Sequence, residues 1–153
     1  MSSSFDRYLC FKVAQEEFAI PLLTVKQVIG MPEVTTVPQV PSYFLGIMNL
    51  RGQVISIIDL RLKLGIKTQE QGAEKSVIII EMDSHSIGLV VDEVHSVLSA
   101  IAENLSPPPD LGRSPAGEYV SAVYRKDDKL ILIIDILKIL SVDDRATALR
   151  AVA

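Results

Sequence analysis

The sequence predicts an all-β protein built of two small five-stranded barrels in tandem, with short helices and a C-terminal helix. Three observations lead there. The chain is 48% apolar but only 5% aromatic and lacks Trp, so its core must be Val, Ile and Leu, which favour strands. Its apolar runs are short and separated by turn-forming residues. The chain also repeats itself: "FAIPLLTVKQVI" at 18–29 lies over "IGLVVDEVHSVL" at 87–98, and "VISIIDLRLKL" at 54–64 over "LILIIDILKIL" at 130–140. In that alignment Phe18 meets Ile87, Val25 meets Val94, Val28 meets Val97, and Asp59 meets Asp135.

Taken in order, "YLCFKV" is a first strand, and "VAQEEF" suits a tight hairpin into the strand that begins at Phe18. "MPEVTTVPQVPSYF" carries three prolines and reads as a loop, with one helical turn expected before Gly46. "NLRGQVISIIDLR" then sets an Arg-Gly pair against a buried-looking strand that ends at Asp59. After each "IID" the pattern turns helical, through Leu60, Leu62 and Leu64 in one copy and Ile136, Leu137 and Leu140 in the other. Asp59 and Asp135 suit the N-caps of those turns. The polar stretch "KTQEQGAEK" divides the copies, giving one domain over 8–142 made of units 8–66 and 75–142. In the second unit "VIIIEMDSHS" repeats the strand and turn, "MDSHSI" suits a hairpin, and "SPPPDLGRSPAG" is a stiff irregular loop. The acids of "DDRATALRA" suit the start of a final helix at 143–151, within a tail of 143–153. Units of about 60 residues are too small for sandwiches, so small closed barrels of the SH3-like kind fit best.

With 153 residues the chain can bury a real core, roughly 70% of its unfolded surface. A formal charge of −4 and a single basic stretch, "RLKLGIK", argue against a nucleic-acid partner. One cysteine excludes an internal disulfide and suits a reducing, cytoplasmic setting. Asp6 and Arg7 interrupt any signal-peptide core, and "LILIIDILKIL" is too short and too charged to span a bilayer, so no membrane insertion is expected.

Catalytic motifs are absent from the sequence: no nucleophile elbow, phosphate loop, dinucleotide fingerprint or C-x-x-C. Cys10 reads as a buried structural thiol. His85 and His95, with Asp83, Asp92 and Glu93 beside them, read as a hairpin tip and a surface strand rather than a metal site. Asp59, Asp92 and Asp135 read as structural. A small enzyme using Asp92, His95 and Cys10 would need those three side chains to converge. A generic SH3-like peptide binder would need an aromatic groove, for which Tyr43, Tyr119 and Tyr124 are a poor supply. No cofactor or metal is expected.

"FAIPLLTVKQVI", the proline-bearing loop, "FLGIMNLRGQVISIIDLR", "IGLVVDEVHSVL" and the late "LIIDILKIL" together resemble the CheW-like chemotaxis coupling proteins, from about Tyr8 to Leu140. The resemblance implies two SH3-like barrels, no enzymatic activity, and a cytoplasmic scaffold in signal transduction. Such an adaptor joins the cytoplasmic tips of chemoreceptors to the regulatory domain of the CheA histidine kinase in membrane receptor arrays. The same role in a chemosensory system for surface motility or second-messenger control is the alternative. By resemblance the receptor helix lies in an apolar groove between the barrels. The repeat suggests that Val25, Val28 and Ile29, with their counterparts Val94, Val97 and Leu98, line such a groove; by resemblance Val25 and Val97 match receptor-contact positions and Arg51 a receptor-sensitive arginine expected on its rim, which Gly46 and Asn49 would shape. Val34 would lie near one kinase contact, and Ser106 and Leu111 near the other. At Ser106 the chain departs from the family's arginine and at Leu111 from an aromatic residue, departures that bear on that second, ring-building contact.

Overall fold

A computed structural model of the chain describes residues 6–66, 74–82, 85–108 and 119–140. The expected helix at 143–151, Leu111 and the first part of the polar boundary segment lie outside these residues. Among the described residues the strands and short α-helices run β1 (Asp6–Val13), β2 (Glu16–Pro21), β3 (Val25–Gly30), β4 (Phe44–Leu50), β5 (Gln53–Asp59), α1 (Leu60–Lys63), β6 (Ser76–Met82), β7 (His85–Val91), β8 (Glu93–Ala100), β9 (Leu105–Ser106), β10 (Val120–Lys126), β11 (Lys129–Ile134) and α2 (Ile136–Ile139). Among the described residues, no helix is long and apolar enough to cross a membrane.

The strands form two sheets, ordered β8-β1-β2-β11-β10-β9 and β3-β6-β7-β5-β4. Each sheet is therefore a joint product of both sequence copies. The β1–β2 hairpin pairs with β8 and, in parallel, with β11, while the β6–β7 hairpin pairs with β3 and, in parallel, with β5. The division at 66/75 separates the repeats but not the sheets: the copies exchange their first hairpins. Five strands of each sheet obey one shared plan, and two-residue β9 adds a sixth to the first.

The exchange explains why so many strands are apolar on both faces. Leu9, Phe11 and Val13 of β1 point into a core shared by the sheets, where Ile78 and Ile80 of β6 meet them. Cys10, between those residues, faces the interior of the first sheet with Ile131 and Ile133. Val77 and Ile79 likewise face the interior of the second, with Ile55 and Ile57. A strand buried on both faces reads as a continuous apolar run, because alternate side chains serve two cores. Phe11 and Phe18 stack within the shared core at a centroid distance of 6.0 Å.

Turn chemistry fixes register. Val13 pairs Glu16 across a two-residue turn whose Ala14 and Gln15 have φ of 48° and 75°. Two left-handed residues in a two-residue loop match the right-handed twist of the strands they join. Asp59 caps α1 by accepting from the Arg61 and Leu62 amides at 3.0 and 3.4 Å, and Asp135 caps α2 by accepting from Leu137 at 3.0 Å. Both helices are single turns. Leu60, Ile136 and Leu140 are buried, whereas Leu62 and Leu137 are exposed. The helical turn expected before Gly46 is instead a β-turn closed by the Phe44 amide on the Pro41 carbonyl at 3.0 Å. Three prolines deny that segment the amides a helix would need.

One buried polar tie joins the halves. Asp92, between β7 and β8, is 3% exposed. Its carboxylate accepts from the Ala14 amide and from Lys75 Nζ, each at 2.5 Å, and its own amide donates to the Lys12 carbonyl. Burial raises the Asp92 pKa, but the Lys75 and Ala14 hydrogen bonds, with the charges of Lys75 and Arg61, outweigh it and hold the carboxyl below its ordinary value.

Candidate functional site

The Arg51–Gly52 pair forms the turn between β4 and β5. Leu50 pairs Gln53 across it, and Arg51 and Gly52 take φ of 52° and 86°. Asn49 stabilises it: its Oδ1 accepts the Gly52 amide at 2.9 Å. A left-handed Arg is uncommon, and here it fixes an exposed guanidinium at the tip of a hairpin. Arg51 makes no hydrogen bond or ion pair among the described residues.

Below the tip lies a cleft of about 210 Å³. Lys26 and Gln27 of β3 form one side, Gln53 of β5 the other, and Ile55 and Ile79 the floor. The edge strand β3 and the β4–β5 turn at the far side of the sheet thus face one cleft, so the sheet curls into a barrel. Lys26 Nζ donates to Ser86 Oγ at 3.2 Å and lies 3.8 Å from Glu81. The result is an apolar floor with cations and amides at its mouth, which suits an acidic side chain carried on an apolar face.

The other residues named from resemblance fall in several places. Val28 is exposed on β3 (40%), while Val25 is half-buried and packs on the shared core. Val97 is exposed on β8 of the other sheet (49%). Leu98 is 7% exposed and packs with Cys10 and Tyr124, so its side chain supports its strand from inside. Adjacent strand residues face opposite ways, so Val97 and Leu98 cannot both meet a partner. Gly46 is buried, with φ of 148°, and an added Cβ would come 2.1 Å from the Thr35 carbonyl oxygen. Its role is the close pairing of Thr35 with Ile47, at 2.8 and 2.9 Å.

Val34 is half-buried against the interior of the second sheet. Ser106 is exposed on β9 and lines a shallow hollow of about 270 Å³ with Pro107, Val123, Arg125 and Leu130. Lys26, Arg125 and Leu130 escaped sequence reading. Lys26 and Leu130 occupy outward positions of strands whose inward neighbours are apolar, a signal the alternation does contain.

A further cleft, of about 320 Å³, opens in the first sheet. Cys10 and Ile131 line it with Glu17, His95 and the β10–β11 turn residues Lys126 to Lys129. His95 sits between two carboxylates, Nδ1 at 3.2 Å from Glu17 and Nε2 at 3.3 Å from Glu93. Cys10 and His95 share this cleft, but Asp92 is committed to Lys75 and Ala14, so the three do not converge. Burial pushes the Cys10 thiol up, against a lowering by the Lys126 charge, which is the reverse of an activated nucleophile. Among the described residues, no group of three or more His, Cys, Asp or Glu side chains is placed to hold a metal ion.

Comparison with known proteins gives a consistent result. The family model described as the CheW-like domain matches residues 7–144. The protein named Chemotaxis protein CheW from Klebsiella aerogenes is 32% identical over 141 residues, covering 92% of this chain and 85% of its own. That of Rhizobium meliloti is 27% identical, covering 92% and 90%. The crystal structure of the scaffolding protein TtCheW from Thermoanaerobacter tengcongensis superposes with a TM-score of 0.79 at 29% identity, over 92% of this chain and 95% of that one.

Proposed function

The chain belongs to the CheW-like domain family and is a chemotaxis adaptor; we propose that it couples the cytoplasmic tips of chemoreceptors to the regulatory domain of a CheA histidine kinase, without catalysing a reaction. The observation that carries this reading is the Arg51 tip: an exposed arginine on a left-handed turn, without a hydrogen bond or ion pair among the described residues, at an apolar-floored cleft. A receptor helix presenting carboxylates beside an apolar stripe would lay the stripe on this sheet and its acids on Arg51 and Lys26, a helix-in-groove contact with a charged rim. Val28 of β3 and Val97 of β8 are the exposed valines available to a partner helix, while Val25 packs on the shared core.

The kinase domain would meet two other surfaces. Val34, half-buried against the second sheet, would lie near one contact. At the other, Ser106 lacks the family's arginine, yet Arg125 of β10 lines the same hollow and supplies a guanidinium from the neighbouring strand. Beside it Leu130, 59% exposed, provides an apolar anchor. Leu111 would add to this contact. The adaptor works among membrane receptor arrays in the cytoplasm, and it transmits receptor state by binding alone: a shift in the receptor tip biases the kinase through a rigid two-sheet body.

Calorimetric titration of the wild-type chain and Arg51→Ala against a helical receptor-tip fragment and a CheA regulatory domain tests the proposal. Loss of a charged hydrogen-bonding group at an interface costs roughly 1.5–3 kcal/mol, about 10- to 100-fold in affinity. The substitution should weaken the receptor fragment by that factor and leave the kinase domain within twofold. Equal weakening of both, or of neither, would refute the assignment of Arg51.

A further inference from the structure

The two clefts described above are twins. The alignment that lays Phe18 over Ile87 and Asp59 over Asp135 also lays Lys26 over His95, Ser86 over Glu17, and Ile79 over Cys10. It lays Arg51 over Asp127 and Ile55 over Ile131. Both members of every pair line a cleft, the first set in one sheet and the second in the other. Hairpin exchange between the copies brings this about, since each cleft combines a first hairpin from one copy with later strands from the other. Even the tips agree: Arg51 and Asp127 hold left-handed φ of 52° and 56°.

Their charges differ in sign at the tips. Where one cleft has a guanidinium at its tip followed by Gly52, its twin has two carboxylates, Asp127 and Asp128, set between Lys126 and Lys129, which stand where the first cleft has Leu50 and Gln53. Where one has neutral Ser86 supporting Lys26, its twin has Glu17 on His95. The apolar floors remain alike. The clefts share one frame, though their volumes are about 210 and 320 Å³, so charge adds to shape in telling them apart.

We propose that this charge reversal restricts an acidic receptor helix to the Arg51 cleft, and that Asp127, Asp128 and Glu17 are the residues that reject it from the twin. The inference rests on the reading of Arg51 as a receptor contact. Like charges facing one another across an interface are strongly unfavourable, and discrimination between similar sites commonly uses such a repulsive element. In a scaffold with internal twofold likeness, this device converts two equivalent clefts into one receptor site per chain and gives the adaptor a defined orientation.

The test transplants one cleft's charges into the other and counts sites by calorimetry with an acidic helical receptor-tip fragment. The wild-type chain is expected to bind one fragment, and Arg51→Asp to bind more than tenfold more weakly. The triple substitution Glu17→Ser, Asp127→Arg, Asp128→Gly is expected to bind two. Combining it with Arg51→Asp should restore binding to one site, now in the first sheet, within about tenfold of wild type. Asp127→Arg alone lies at an exposed turn and disturbs no buried side chain, and on the Arg51→Asp background it should recover at least threefold of the loss. If neither the triple set nor Asp127→Arg improves binding on that background, the inference is wrong while the receptor assignment stands. If the wild-type chain does not bind the fragment, the receptor assignment fails first and takes the inference with it.

Discussion

Asp92 offers the sharpest test of the physical account, because so much converges on one carboxylate. It is 3% exposed, and its two oxygens take hydrogen bonds of 2.5 Å, from the Ala14 amide and from Lys75, whose side chain is 25% exposed. Those partners come from the β1–β2 turn and from the residue leading into β6, so the carboxylate fastens both hairpins that the copies exchange. Removing one member of a buried charged pair typically costs about 3–5 kcal/mol. Lys75 keeps some solvent and so moderates the cost, which places Asp92→Ala at roughly 3 kcal/mol, or about 6–12 °C in Tm for a chain of this size. Asp92→Asn retains an acceptor for the Ala14 amide and should cost about half as much. The folded pKa of Asp92 lies below its ordinary value of 3.8, so its contribution is complete above that value and is lost as pH falls through the depressed folded value. Urea melts at pH 7, 4 and 2.5 check both claims: wild type should lose stability towards acid more steeply than Asp92→Asn. An Asp92→Ala variant within 0.5 kcal/mol of wild type, or identical acid slopes, would refute this reasoning.

Other outcomes follow from single observations. Gly46→Ala would set a Cβ 2.1 Å from the Thr35 carbonyl, so the Thr35–Ile47 pairing must break, with a loss of about 3 kcal/mol or more by denaturant melt. Cys10 is 4% exposed with its thiol pKa pushed up, so a thiol-reactive dye at neutral pH should label the native chain at least 100-fold more slowly than the urea-unfolded chain, as absorbance would record. Arg125→Ala should weaken a CheA regulatory domain by about tenfold and leave a receptor-tip fragment unaffected, as surface-immobilised binding would show.

Much of this was legible in the sequence, though unevenly. The repeat, the hairpin at "VAQEEF", and the caps at Asp59 and Asp135 are local, and local chemistry decided them. Hairpin exchange was not legible. The parallel pairing of β2 with β11 and of β5 with β7 joins segments far apart in the chain, and similarity between copies does not say which copy pairs with which. The NLRG stretch drew attention to Arg51, and the structure adds its turn geometry: a left-handed tip with no hydrogen bond or ion pair among the described residues. Leu98 shows the opposite case. Resemblance named it as a contact, but alternation turns that side chain inward and leaves Val97 outside. Lys26 passed unnoticed because a lysine on a strand looks like ordinary solvated surface until the fold brings Arg51 across from it.

In the proposed adaptor, one chain holds receptor and kinase at the same time on separate surfaces. A titration of receptor-tip fragment into the chain already saturated with CheA regulatory domain addresses it directly. The account predicts one fragment bound per chain, with a Kd within twofold of that measured without the kinase domain and lost on Arg51→Ala. Displacement of the kinase domain by the fragment would mean that the surfaces are shared, and the adaptor described here would be contradicted.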